Sequence, residues 1–172
     1  MAIMPAGDDR FDGRLLYPVH ALVVLPAGHP LARAVVVDIA ALSEESILLL
    51  RREFGSRRWF DAACEIAQFR PRVRLESSAP QTLVELAAVG YGVAVVPSTV
   101  VVRGKGVRVV PLVQNKASLG RWSMLAWDAK RLLPEYARQF AEELVAHSRR
   151  ACPGKAFLRG APPLPRPKWP AQ

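Results

Sequence analysis

Two uninterrupted aliphatic runs, Ser46–Leu50 (SILLL) and Gly92–Pro97 (GVAVVP), constrain this chain more than any other feature. Neither alternates with polar residues, so each reads as a strand buried on both faces, which needs cover above and below the sheet. The residues between them supply that cover. Trp59, Phe60, Ala63, Cys64, Ile66 and Ala67 recur at helical spacing after a candidate Ser56 cap. Val73 and Leu75 alternate with Arg72, Arg74 and Glu76, as in a half-exposed strand. Ser78-Ala79-Pro80-Gln81 then has the form of a capping box, opening a helix over Gln81–Val89 that stops at Gly90. Strand, helix, strand, helix, strand in sequence means parallel pairing through helical crossovers, and the class is α/β.

The flanks extend the same pattern. Leu15–Leu25 (LLYPVHALVVL) leads into a strand, and Pro26–Pro30 (PAGHP) ends it as a turn. Asp38 is placed to cap a brief helical turn through Leu42. Val107–Leu112 and Arg121–Trp127 add two strands. Pro134 opens the last helix, with Tyr136, Phe140 and Leu144 on one face.

Composition removes several classes of protein. A hydrophobic fraction of 51% with 23% charged residues excludes disorder across the whole chain. The longest apolar runs fall far short of the roughly 18 residues a helical membrane crossing needs. Residues 1–13 carry Asp8, Asp9 and Asp12 without an apolar stretch, so they read as a disordered lead and not as a secretory signal. Cys64 and Cys152 are far apart and in no CxxC pair, which suits a reducing, cytoplasmic setting. The net charge of +9 first suggests nucleic acid. Six of those positive charges (Arg149, Arg150, Lys155, Arg159, Arg166, Lys168) lie in residues 149–172, which hold no acid and six of the 15 prolines. That stretch reads as a basic extension, lying extended on a surface or hanging free.

Enzymatic chemistry has little footing here. His20, His29 and His147 are scattered, with no pair at metal-ligand spacing, and lone histidines of this kind read as turn or surface residues. GxSxG, Walker A, HExxH and a strand-to-helix GxGxxG are all missing. Gly90 and Gly92 form GxG, but at a helix end leading into a strand, the reverse of what a phosphate loop needs. No catalytic residue, metal or cofactor is expected. One constellation points to binding instead. The strand Ser46–Leu50 ends in Arg51-Arg52-Glu53, just before a helix, and the next strand ends in Glu76-Ser77-Ser78, just before another. Open α/β sheets bind ligands beyond the carboxyl ends of their strands, where helix N-termini present free N–H groups. Arginine there offers a bidentate partner for a carboxylate or phosphate.

Residues 15–100 resemble the effector-binding domain of LysR-type transcriptional regulators. The resemblance is carried by Gly28-His29-Pro30-Leu31-Ala32, by Asp38-Ile39-Ala40, and by the block from Leu75 to Pro97. Within that block, Glu76-Ser77, Thr82-Leu83-Val84 and Gly90-Tyr91-Gly92-Val93-Ala94-Val95-Val96-Pro97 are the most specific. Leu133-Pro134, Phe140 and Leu144 fit the family's last helix, so the match runs over about 15–147.

The resemblance implies a two-lobed, periplasmic-binding-protein-like (type 2) domain over 14–148. One lobe would be complete (about 37–119), and the other a remnant (14–36 and 120–148). Its pocket positions map onto Arg51, Arg52, Glu53, Ser77, Ser78 and Gln81, with a small anionic effector as ligand. It also implies a homo-oligomer in the intact regulator, and DNA contact only through a winged helix-turn-helix that no residue here matches. On this reading the chain is a truncated regulator, not an enzyme. The rivals are a solute-binding protein of the same fold, an enzyme on an α/β scaffold, a truncated interaction module that does not bind DNA, and a basic nucleic-acid-binding protein.

Overall fold

The computed structural model describes residues 10–103 and 106–167. The regular elements are β1 (Phe11–Pro26), β2 (Val37–Asp38), β3 (Ser46–Leu50), α1 (Gly55–Ile66), β4 (Arg72–Ser77) and α2 (Pro80–Ala88), then β5 (Val93–Pro97), β6 (Val107–Gln114), β7 (Ala117–Ser118), β8 (Gly120–Asp128) and α3 (Glu135–Arg150). The main sheet has the order β2-β6-β1-β5-β3-β4. As the strand–helix alternation requires, β3 runs parallel to both β4 and β5.

Strand β1 changes partners midway. Phe11–His20 pairs with β8, whereas Ala21–Pro26 runs antiparallel between β5 and β6. The chain therefore has a larger sheet region and a smaller β1–β8 ribbon, joined at His20 and Ala21. Ala21–Pro26 sits in the larger region. Of the disordered lead expected over 1–13, residues 1–9 lie outside the described residues, and Phe11–Gly13 are strand.

Burial follows the strand period. Along β1, Ala21, Val23 and Leu25 enter one core cluster while Leu22 and Val24 enter the other. In β3, Ile47 and Leu49 face the first cluster, and Leu48 and Leu50 the second. Helix α1 closes the first with Phe60, Ala63 and Cys64; α2 closes the second with Leu83, Val84 and Ala87. Each large aliphatic side chain fully buried this way is worth about 1.5–3 kcal/mol before chain entropy is charged.

Several local expectations hold. Asp38 Oδ1 accepts from the Ala40 N–H at 3.0 Å and caps a 3₁₀ turn over Ile39–Leu42. Gly90 ends α2 with φ +78, the left-handed conformation that favours glycine after a helix.

Two expected caps do not form. The N-cap of α1 is Phe54, not Ser56, and Phe54 packs on the second core cluster, which sets the helix start by burial. The N-cap of α2 is Ala79, not Ser78, because Pro80 opens the helix and restricts the residue before it to extended backbone (φ −101, ψ 102). The expected surface placement of lone histidines also fails for His20, which is 4% exposed at the sheet change. His29 does sit in a turn, its Nδ1 accepting from the Leu31 N–H at 3.2 Å.

Helix α3 packs on the first half of β1 and buries Ala141 and Ser148. Leu144 and Val145 are half-buried on the same side as Ala141, whereas Tyr136 and Phe140 are 76% and 64% exposed and turned outward. The basic extension does not hang free over 151–167. Phe157 and Leu158 pack on the second core cluster, and Leu164 is buried.

Candidate functional site

Parallel pairing brings the carboxyl ends of β5, β3 and β4 side by side. Leu50 is in register with Ser77, and the Arg51 N–H donates to the Ser77 carbonyl at 3.2 Å. The two junctions singled out from the sequence are therefore neighbours. Both following helices begin without a side-chain cap and without an acidic residue in the first turn. The Arg57 and Thr82 N–H groups donate to the Phe54 and Ala79 carbonyls at 3.1 and 3.2 Å, and Pro80 has none. Gly55, Ser56 and Gln81 therefore carry the first-turn N–H groups that can meet an outside acceptor, with the helix dipoles favouring a negative one.

The six expected residues fall into three groups. Arg51, Arg52 and Glu53 are exposed, and the two guanidinium groups have no partner among the described residues. They are free to meet an incoming anion. Ser77 is half-buried, and its Oγ accepts from the Ala79 N–H at 3.0 Å, leaving its own proton to donate. Ser78 is exposed beside it. Gln81 has a different duty, because its Nε2 donates to the Val101 carbonyl at 2.9 Å and pins the loop after β5.

That contact borders a depression of about 570 Å³ lined by Pro80, Gln81, Thr99, Val100, Val101 and Arg103. Of the six expected residues, only Gln81 lines it. Thr99 and Arg103 lie outside the residues expected from the sequence, although one signal points to them. Strand β5 was expected to lie in the parallel set, so the loop after Pro97 shares the crevice with the other two junctions. Arg103 is exposed and has no partner among the described residues.

One arginine of the Ser56-Arg57-Arg58 segment is structural. Arg57 is 4% exposed and donates to the Leu50 carbonyl at 3.0 Å, to Glu76 Oε1 at 2.6 Å and, through Nε, to Asp61 Oδ1 at 2.8 Å. Burial works against its charge, but Asp61 and Glu76 outweigh burial and raise its pKa above the ordinary value. Arg57 thus ties the ends of β3 and β4 to the start of α1 beneath the exposed arginines. Burial, aided by Asp61, pushes the Cys64 thiol up to about 12, which makes it an inert core residue. Among the described residues no group of three or more His, Cys, Asp or Glu could hold a metal, and no helix is long and apolar enough to cross a membrane.

The family model of the LysR substrate-binding domain matches residues 1–149. The chain belongs to that family. An uncharacterized HTH-type transcriptional regulator of Bacillus subtilis (strain 168), YwbI, is 25% identical over 151 residues, covering 86% of this chain and 49% of the relative. The chain therefore spans about half the length of that relative. The effector-binding domain of QuiR, solved with shikimate, superposes with a TM-score of 0.67 at 17% identity, over 84% of this chain and 68% of that one. The CcmR regulatory domain of Synechocystis PCC6803, solved with 2-PG, gives a TM-score of 0.71 at 21% identity, over 84% of this chain and 70% of that one. This LysR substrate-binding domain has the periplasmic-binding-protein-like fold of those effector domains. Its family is one of transcriptional regulators.

Proposed function

We propose that this chain is the effector-sensing part of a LysR-type transcriptional regulator and takes a small anionic metabolite in the crevice over β5, β3 and β4. The observation that carries this reading is the coincidence of two uncapped helix starts with unpartnered arginines at the same sheet end. In it, Arg51 and Arg52 meet the effector's carboxylate or phosphate. The Ser77 and Ser78 hydroxyls and the Gln81 N–H at the start of α2 complete its hydrogen bonds. Glu53 limits the charge the site accepts, and Gln81 holds the wall carrying Thr99 and Arg103.

The two sheet regions meet where Ser98 Oγ accepts from the His20 N–H at 3.2 Å and the Ser98 N–H donates to the His20 carbonyl at 2.8 Å. An effector that binds one arrangement about this joint more tightly shifts the population toward it and transmits occupancy to the rest of the regulator. The role is regulatory and not enzymatic, with DNA contacted elsewhere in a homo-oligomeric cytoplasmic assembly. Neighbours solved with shikimate and with 2-PG support a small-molecule ligand.

The test is calorimetric titration of the chain with a panel of small carboxylates, phosphoesters and their neutral amide or alcohol analogues. Binding confined to anions is expected, weakened roughly ten- to hundredfold in the Arg51→Ala/Arg52→Ala variant, the loss for one charged hydrogen-bond partner. A panel in which only neutral compounds bind, or anion binding unchanged in that variant, would overturn the assignment.

A further inference from the structure

We propose that residues 152–167 form a strap, by which the chain's own carboxyl-terminal segment docks across the joint between the two sheet regions and fixes their spacing. This segment lies outside the residues matched by the family model, which end at 149. The chain leaves α3 at Arg150, in the smaller region. At Gly154 (φ +74) its backbone presses on Ser98; a Cβ there would stand 2.1 Å from the Ser98 carbonyl oxygen. Ser98 is the residue cross-bonded to His20 at the point where β1 changes sheets. A 3₁₀ turn over Lys155–Phe157 then lays Phe157 and Leu158 against the second core cluster of the larger region.

The return path is equally specific. Gly160 (φ +81) abuts Val35, and the Ser118 hydroxyl donates to the Pro162 carbonyl at 2.5 Å. Leu164, 8% exposed, sits so close over Gly120 that a Cβ on that glycine would come within 2.9 Å of its Cδ1. Arg166 then lies over the Trp122 ring of β8, 5.5 Å from its centroid, in the smaller region. The segment thus grips the joint, the larger region and the smaller region in turn. Its prolines (Pro153, Pro162, Pro163, Pro165 and Pro167) pre-extend it, which lowers the entropy lost on docking. A segment anchored on both sides of a joint opposes any rotation that changes the distance between its anchors.

Two measurements on the whole chain test this. Trypsin reads docking at Lys155 and Arg159, which are exposed but held in the strap. Hydrogen exchange reads the joint at the Ala21 and Ser98 amides, which donate to Leu119 and His20. Gly154→Val has no room for its side chain against Ser98 and an unfavourable φ, so it should release the strap. Expected are cleavage at Arg159 and exchange at Ala21 and Ser98 each faster by about tenfold or more, with the β3 amides unchanged. Leu164→Asp, which disturbs only the far end, should accelerate the same joint amides and decides the matter if Gly154→Val also loses β3 protection. A wild-type strap cut as fast as the variant's, or joint amides at wild-type rates once the strap is cut faster, would overturn the proposal.

Discussion

The larger sheet region and the smaller ribbon are built from the same kinds of apolar sequence, yet they bury it differently. In the larger region a strand such as β3 loses both faces from water, one under α1 and the other under α2. In the smaller region α3 covers the ribbon with Ala141 and Ser148, while Tyr136 and Phe140 point away. All three helices show apolar residues at turn spacing. An apolar face states only what a helix can pack against; a second layer decides whether it does. Stability should therefore concentrate in the larger region, and substitutions of like chemistry should separate the two.

The largest effect is expected at Phe60, whose side chain is fully buried between α1 and the sheet. Phe60→Ala removes its contacts and leaves a cavity, a loss of about 3–5 kcal/mol. Urea unfolding of the variant checks this. A loss below about 1 kcal/mol would mean that the first cluster does not carry the larger region.

The legibility of the sequence divides along the same line. Strand β3 occupies the residues its apolar run marks, Ser46–Leu50, because a strand buried on both faces leaves little freedom in its ends. Asp38 was legible because an N-cap aspartate is a local interaction. The caps at Ser56 and Ser78 were misplaced because tertiary burial of Phe54 and the backbone restriction before Pro80 override a hydroxyl one or two residues away. At the candidate site, Arg51 and Ser77 were readable as strand-end residues, since parallel pairing alone makes them neighbours. Arg57 was not readable as a tie, because its partners Leu50 and Glu76 meet it only once the sheet is assembled. The fold of residues 151–167 was equally hidden. Its contacts are with residues as far off as Val35 and Ser98, and nothing in a proline-rich basic run encodes them locally.

A smaller loss is expected from Arg57→Met. The change leaves the Leu50 carbonyl without its buried donor and strands Asp61 and Glu76. Those carboxylates have side chains 35% and 39% exposed, so water recovers part of the interaction. The expected loss is about 2–3 kcal/mol, against less than about 0.5 kcal/mol for Arg72→Met at the exposed Arg72–Glu44 pair. Equal losses in the two variants would show that Arg57 is another surface cation and not the tie beneath the site.

The joint between the regions has its own signature in pH. Burial lowers the pKa of His20, and its Nδ1 is buried with no hydrogen-bond partner among the described residues. The unfolded chain therefore takes up the proton first as pH falls. The folding stability present at neutral pH is lost progressively as pH drops below the ordinary imidazole value of about 6.5, and levels off below the folded value. His20→Gln should flatten the stability profile between pH 7.5 and 5.5, measured by urea unfolding. Parallel profiles would place the pH dependence elsewhere.

The smallest effect is expected at Phe140, and it bears most directly on the contrast between regions. The residue is 64% exposed on α3, with Tyr136 one turn before it and Leu132, 96% exposed, just ahead of the helix. Phe140→Ser removes apolar surface that is already largely in water, so little transfer free energy changes, and serine costs the helix only a few tenths of a kcal/mol. The expected change in unfolding free energy lies within about 0.5 kcal/mol, roughly a tenth of that at Phe60. Because an uncovered aromatic stripe favours association, sedimentation of concentrated protein should show the variant less associated than the wild type. A loss above about 1 kcal/mol, in chain that sediments as a monomer, would mean that α3 buries this side chain after all, and the division into a covered and an uncovered region would fall.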